Sequence, residues 1–200
     1  MKTLAALAGL LMLTPALAAP GDPGKGQALA EKICASCHAL DGNSATPSNP
    51  ILAGQFPDYL ARQLTDFRAG ARRNVMMASL IASLSEADMR NLAAHYAAQT
   101  PKAAGTREPG LAAEGQRLYR NGNAANGLPS CASCHGPNGA GMDGQFPRIA
   151  GQHAKYTTTQ MKYFRTGFRD NDLGKMMQTI ARKMTDQEIK AISEYISTLR

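Results

Sequence analysis

A chain of 200 residues in which 44% are hydrophobic and 18% are charged can bury a core, which excludes a fibrous or wholly disordered protein. The formal net charge of +7 would suit a nucleic-acid binder, but an apolar leader and four cysteines in two tight pairs argue for an exported protein instead. Nothing beyond the leader is long and apolar enough to span a bilayer.

The leader begins Met1-Lys2, runs through the apolar stretch Leu4 to Leu13 and exits through Pro15-Ala16-Leu17-Ala18-Ala19. A charged start, an apolar middle and a small-residue exit predict a secretory signal over residues 1–18, with cleavage after Ala18 and a mature protein in the periplasm.

A helix is expected from about Gly24 to Ile33, and directly after it stands Cys34-Ala35-Ser36-Cys37-His38. The same five letters return as Cys131-Ala132-Ser133-Cys134-His135, after a second expected helix from about Leu111 to Arg120. A Cys-x-x-Cys-His run is the attachment signal of c-type haem, in which two thiols add across the porphyrin vinyl groups and the adjoining imidazole is aimed at the iron. A lone Cys-x-x-Cys also serves zinc sites and thioredoxin-like redox pairs. Here every cysteine of the chain lies inside a motif, each motif ends in His, and neither sits in a strand-helix pattern, so two covalent haem c groups are expected.

Past each motif the two halves keep step. Pro50/Pro147, Ala53-Gly54-Gln55/Ala150-Gly151-Gln152, Tyr59/Tyr156, Gln63/Gln160, Phe67-Arg68/Phe164-Arg165 and Gly70/Gly167 are all offset by 97 residues. The offset becomes 100 at Met77/Met177 and holds through Ser85/Thr185 and Leu92/Ile192, which places a three-residue insertion between Arg169 and Met177. Upstream, Gly26-Gln27 matches Gly115-Gln116, so the second copy also carries eight extra residues around Asn121–Gly127. Insertions confined to turn-rich segments of a preserved pattern indicate duplication of one folding unit. The Pro- and Gly-punctuated stretch 101–110 is expected to link a domain over 19–100 to a domain over 111–200. Each is small for a protein-only core, and haem would supply the missing apolar interior.

Middle helices are expected near Pro57 to Arg68 and Ala154 to Phe164. Closing helices should start after Ser85 and Thr185, where Thr185-Asp186-Gln187-Glu188 is a capping box and Ser85-Glu86-Ala87-Asp88 a near match. Apolar residues at helical spacing, Met89, Leu92, Ala93 and Tyr96 in one copy and Ile189, Ile192, Ile196 and Leu199 in the other, should pack on the opening helices. The expected fold is all-α, two tandem cytochrome c-like domains each wrapped around one covalently bound haem.

A haem iron needs two axial ligands. His38 and His135 come from the motifs, and tandem methionines recur at matched places, Met76-Met77 and Met176-Met177, on what reads as a loop before the closing helix. A thioether is a good soft ligand that favours the reduced iron. Either member of each pair could reach. His95 and His153 face Tyr195 and Phe56 in the repeat, so neither is a ligand that both domains need. Each imidazole should donate its other N–H to a fixed acceptor, and Pro50 and Pro147, 12 residues past each His, offer backbone carbonyls.

The two motifs, Asp41-Gly42-Asn43-Ser44, Leu52-Ala53-Gly54-Gln55 and Ile149-Ala150-Gly151-Gln152, the Met-Met pairs and Ala93-Ala94-His95-Tyr96 together resemble the cytochrome c4 family, dihaem proteins of two class I cytochrome c domains. The resemblance implies Met77 and Met177 as distal ligands, Pro50 and Pro147 facing the proximal histidines, and two haems close across a domain interface. With both iron faces occupied by protein, the expected function is single-electron transfer between respiratory donors and a terminal oxidase or reductase, without a small-molecule substrate or nucleic acid as partner. The alternatives are a haem enzyme of the dihaem peroxidase or thiosulfate-oxidising type, or the cytochrome subunit of a flavocytochrome sulfide dehydrogenase.

Charge is uneven. Residues 19–106 carry eight Lys and Arg against seven Asp and Glu, and residues 107–200 thirteen against eight. Lys155, Lys162, Arg165, Arg169, Lys175, Arg182 and Lys183 are expected to present a positive face to an acidic redox partner, a membrane oxidase, reductase or donor cytochrome complex, or to hold the protein peripherally on an anionic membrane.

Overall fold

The computed structural model describes residues 20–200, so the leader reading over 1–18 lies outside the described residues. Two helical units follow one another. In the first, α1 (Pro23–Ile33), α2 (Ala35–His38), α3 (Pro57–Arg68), α4 (Val75–Ile81) and α5 (Glu86–Ala97) surround a core of Leu60, Phe67, Ile81, Met89, Leu92 and Tyr96. In the second, α6 (Pro109–Asn121), α7 (Ala132–His135), α8 (Ala154–Thr166), α9 (Met176–Arg182) and α10 (Asp186–Ile196) surround Leu118, Tyr119, Met161, Phe164, Ile189 and Ile192.

Local chemistry sets the helix ends. Asp22 caps α1 by accepting from the Gly24 and Lys25 amides, and Pro23 occupies the first turn, where its missing N–H costs nothing. Both closing helices open on full capping boxes, Ser85 with Asp88 and Thr185 with Glu188, so the shorter Asp88 serves as well as a glutamate.

The opening and closing helices of each unit cross at a glycine. A Cβ on Gly26 would run into the Asn91 carbonyl, and one on Gly115 into the Ala191 carbonyl, so only glycine lets these backbones meet. The matched pair Gly26-Gln27 and Gly115-Gln116 therefore marks the point around which each bundle closes.

The tandem methionines lie on helices. Asn74 caps α4 by accepting from the Met77 amide, and α9 begins at Met176 itself. Seven residues make two turns, too short for hydrophobic periodicity to register, which is why the sequence reads as a loop there.

The stretch after α5 is tied to both units. The Lys102 amide donates to Asn43 Oδ1 (2.7 Å) and its ammonium pairs with Asp41 (2.9 Å), while the Ala104 and Gly105 amides donate to the carbonyls of Gly151 and Ser197 (2.9 Å each).

The units meet through repeated residues arranged reciprocally. Gln55 donates to the Arg148 carbonyl (2.7 Å) and accepts from the Arg148 amide (3.0 Å). Gln152, its counterpart, donates to the Ile51 carbonyl and accepts from the Ile51 amide (2.9 Å each). Ile51 and Arg148 are themselves counterparts, so the junction has an approximate two-fold relationship built from the Ala-Gly-Gln repeat.

Candidate haem-binding site

Each Cys-x-x-Cys-His run folds as a single helical turn, with Cys34 or Cys131 as its cap. That turn brings both thiols and the imidazole to one side. None of the four cysteines is in a disulfide; all are half-buried and line one cavity. Burial against the apolar walls pushes the Cys34 thiol up and the Cys131 thiol up to about 11.

The turn ends in a backbone conformation with positive φ, at Gly136 (φ 79°, ψ 160°) in one copy and at Ala39 (φ 60°, ψ 158°) in the other. A tyrosine holds the carbonyl at that point in each unit: Tyr119 Oη donates to Gly136 O (2.6 Å) and Tyr96 Oη to Ala39 O (3.4 Å). The two tyrosines come from different helices, α6 and α5, so the unit reuses the contact without reusing the position.

His38 and His135 are both 8% exposed. His38 Nδ1 lies 3.0 Å from the Pro50 carbonyl and His135 Nδ1 2.9 Å from the Pro147 carbonyl. A carbonyl can only accept, so Nδ1 carries the proton and the lone pair of the neutral ring sits on Nε2. Burial lowers both imidazole pKa values despite those carbonyl bonds, which keeps the rings neutral, the form that ligates metal.

The imidazoles, the thiols, Met77 and Met177 all border one continuous cavity of about 710 Å³, whose walls include Leu52, Leu60, Phe67, Ile149, Met161 and Phe164. Met76 and Met176 border it too but are more exposed, 65% and 39%. Because one cavity is lined from both units, the two sites open toward the junction and toward each other.

The junction side of the cavity carries residues that the sequence did not place there. Arg72, 8% exposed, donates to Gln63 Oε1 (2.8 Å), Tyr156 Oη (2.8 Å) and Gln160 Oε1 (3.0 Å). Arg169, 7% exposed, donates to Gln160 Oε1 (3.0 Å), Tyr59 Oη (3.0 Å) and Gln63 Oε1 (3.1 Å). Tyr59/Tyr156, Gln63/Gln160 and Arg72/Arg169 all keep the offset of 97, and that shared offset among polar residues was the signal available in the sequence.

Arg169 therefore does not belong to a positive surface face. It is drawn inward because Tyr59 and two glutamines satisfy its guanidinium. Lys162 and Arg165 both pair with Asp186, and Lys183 donates to the Gly127 carbonyl (2.7 Å), which leaves Lys155, Lys175 and Arg182 of the expected group unpaired among the described residues. His95 and His153 are structural: their Nε2 atoms bond the carbonyls of Leu40 (2.9 Å) and Ser44 (2.7 Å), the latter across the junction.

Comparison with known proteins decides the family. The cytochrome c family profile matches residues 24–97 and again 112–200. Cytochrome c4 of Thiocapsa roseopersicina is 45% identical over 181 residues, covering 90% of this chain and 93% of its own. This chain belongs to the cytochrome c4 family. The crystal structure of reduced recombinant cytochrome c4 from Pseudomonas stutzeri superposes with a TM-score of 0.86 at 38% identity, covering 90% of this chain and 100% of that one. A protein described as a thiosulfate dehydrogenase electron acceptor, from Stutzerimonas stutzeri, is 38% identical over 202 residues, 98% of this chain and 94% of its own.

As a member of the cytochrome c4 family, the chain is a dihaem electron-transfer cytochrome, and the paired thiols at Cys34/Cys37 and Cys131/Cys134 have the spacing that two covalent haem c groups require. The residues present fit that group: apolar walls, paired cysteines outside any disulfide, and neutral imidazoles whose Nδ1 atoms are already engaged. Among the described residues no helix is long and apolar enough to cross a membrane.

Proposed function

We propose that this cytochrome is a periplasmic electron carrier in which His38 with Met77, and His135 with Met177, close the two haem irons from both sides. The observation that carries the reading is the repeated set bordering one cavity: an imidazole locked through Nδ1 onto a proline carbonyl, and a helix bearing the methionine, in each unit. The haem supplies a one-electron iron couple.

The chain's residues do the rest. Cys34, Cys37, Cys131 and Cys134 tether the group. The carbonyls of Pro50 and Pro147 hold the rings in one tautomer and raise their basicity as ligands. The thioethers of Met77 and Met177 favour the reduced state, and the apolar walls exclude water. With His38 and Met77, and His135 and Met177, as its ligands, each iron would have no coordination position left for a substrate. We read the domains as 19–100 and 111–200 joined through 101–110, with the leader over 1–18 directing export.

The partners we propose are redox proteins: a donor cytochrome complex on one side and a membrane oxidase or reductase on the other. The relative described as an electron acceptor of thiosulfate dehydrogenase favours a second reading of the donor, a sulfur-oxidising dehydrogenase. Spectroscopic redox titration of the purified holoprotein tests the carrier reading. Two c-type haems, both with the thioether-to-iron absorption of the oxidised state, are expected. A haem lacking that absorption and binding carbon monoxide rapidly when reduced would replace the carrier with an enzyme.

A further inference from the structure

The methionine helix of the second unit is entered through a strained turn. Gly174 (φ 60°, ψ 20°) and Lys175 (φ 56°, ψ 28°) stand in succession in the left-handed region immediately before Met176. Lys175 and Ala39 are the two non-glycine residues with positive φ among the described residues. Such a conformation persists only where neighbouring contacts over-determine it.

Asp172 supplies those contacts. Its carbonyl accepts from the Lys175 amide (3.2 Å), and its carboxylate reaches over the turn to accept from the Gln178 amide (3.1 Å) and from Gln178 Nε2 (2.8 Å). Gln178 is 4% exposed and directly follows Met177. One carboxylate therefore closes the turn and fixes the start of α9 beside the methionine, through bonds strengthened by its charge.

The first unit solves the same problem differently. Asn74 caps α4 by accepting from the Met77 amide (3.1 Å), and Ala78 stands where the second unit has Gln178. Asn171 is the counterpart of Asn74, since both keep the offset of 97, but the three-residue insertion has carried it away from the methionine. Its side chain reaches the first unit instead. Asn171 Nδ2 donates to Gln63 Oε1 (3.0 Å) and Asp66 Oδ2 (2.6 Å), while Oδ1 accepts from Arg169 Nε (3.0 Å). The insertion thus frees one residue to anchor the turn across the junction and provides another to hold the methionine helix.

We propose that Asp172 is the positioning residue for Met177 and that Asn171 anchors this hold on the first unit, so that the distal ligand of the second haem depends on contact with the neighbouring domain. Met77, by contrast, is held within its own unit by Asn74. The proposal rests on the reading of Met177 as a ligand.

The test is cyanide binding to the oxidised holoprotein. Cyanide coordinates an iron only while the thioether is off it, so its rate reads how often each methionine opens. Loss of the thioether-to-iron absorption follows the reaction, and the shifted methyl resonances assign it to one haem or the other. Asp172→Ala is expected to raise the rate at the second haem about tenfold, the size of one hydrogen bond to a charged acceptor, and to leave the first haem within about twofold. Asp172→Asn keeps an acceptor oxygen, as Asn74 does, and should restore the rate to within about twofold of the unmutated protein. Asn171→Ala leaves Asp172 in place but cuts its anchor, and a rise of about threefold at the second haem alone is expected. Should Asp172→Ala not retain both haems, Gln178→Ala removes the side-chain half of the grip, and about a threefold rise at the second haem is required of it. Met177→Ala checks the ligand reading by itself: if the second haem keeps its thioether-to-iron absorption there, that reading fails and the proposal with it. With that absorption lost in Met177→Ala, unchanged cyanide rates in Asp172→Ala, or an equal rise at both haems, would overturn the role of Asp172, and an unchanged rate in Asn171→Ala would overturn the anchor.

Discussion

Arg72 and Arg169 occupy the same position in the two repeats and face each other across the domain junction as an isolated antiparallel bridge pair. Each guanidinium lies over the phenylalanine of its own unit, Phe67 at 4.6 Å and Phe164 at 4.5 Å, and reaches into the other unit for a tyrosine hydroxyl. Burial alone would raise the Tyr59 pKa, but Arg169 and Arg72 beside it bring it below the usual phenol value. The junction is thus held by buried cation-to-phenol and cation-to-amide bonds, and these are the stronger kind because one partner is charged.

Arg169→Ala removes three donors from Tyr59, Gln63 and Gln160, and hydrogen bonds to a charged group contribute roughly 1.5–3 kcal/mol each before the loss is softened by relaxation. We expect a destabilisation of about 3 kcal/mol by urea unfolding of the holoprotein. The double variant with Arg72→Ala should cost clearly less than the sum of the two, because both arginines share Gln63 and Gln160. Strict additivity would mean the network is not one unit.

Ala39 sits at φ 60°, ψ 158°, a region that is essentially reserved for glycine, and the matching turn of the second unit has Gly136 there. Such strain costs on the order of 1–3 kcal/mol, against about 0.5–1 kcal/mol for the extra backbone entropy of glycine. Ala39→Gly should therefore stabilise the holoprotein by about 1 kcal/mol, seen as a higher melting temperature in calorimetry. A lower one would place the strain elsewhere.

The helices, their caps and the duplication were legible because each rests on local chemistry: Ser85 and Thr185 begin capping boxes, Gly26 and Gly115 recur at one place, and apolar residues follow the helical period. The junction was not. Gln63 and Tyr59 read as ordinary polar helix positions, Arg72 as a polar residue just past that helix, and Arg169 as part of a basic face, because their burial depends on a partner unit that no local pattern reports. The haem motifs were legible by type and spacing, whereas the helical state of Val75–Ile81 was lost in its brevity.

Within each methionine pair the roles should divide. Met77→Ala or Met177→Ala is expected to abolish about half of the thioether-to-iron absorption and to lower the potential of the affected haem, since a thioether favours the reduced iron. Met76→Leu and Met176→Leu keep the volume and should leave the absorption intact. Reversal of this pattern in either domain would reassign its ligand.

Glu188 anchors the eight-residue insertion of the second unit. Its carboxylate accepts from Asn123 Nδ2 (2.7 Å) and Asn126 Nδ2 (3.1 and 3.2 Å) while capping α10 through the Thr185 amide (2.8 Å). Burial would raise its pKa, but these bonds together lower it below the usual glutamate value. A carboxyl with a depressed folded pKa stabilises the protein above its unfolded pKa and loses that contribution as the pH falls through the folded one. Glu188→Gln should therefore flatten the acid limb of stability against pH, while Glu188→Ala, which orphans two asparagines, should cost roughly 1–3 kcal/mol at neutral pH. Hydrogen exchange gives the local readout. The Asn123 and Leu128 amides, which bond each other's carbonyls at 2.8 and 2.9 Å, should exchange faster in both variants, and protection unchanged from the unmutated protein would show that the insertion stands without its anchor.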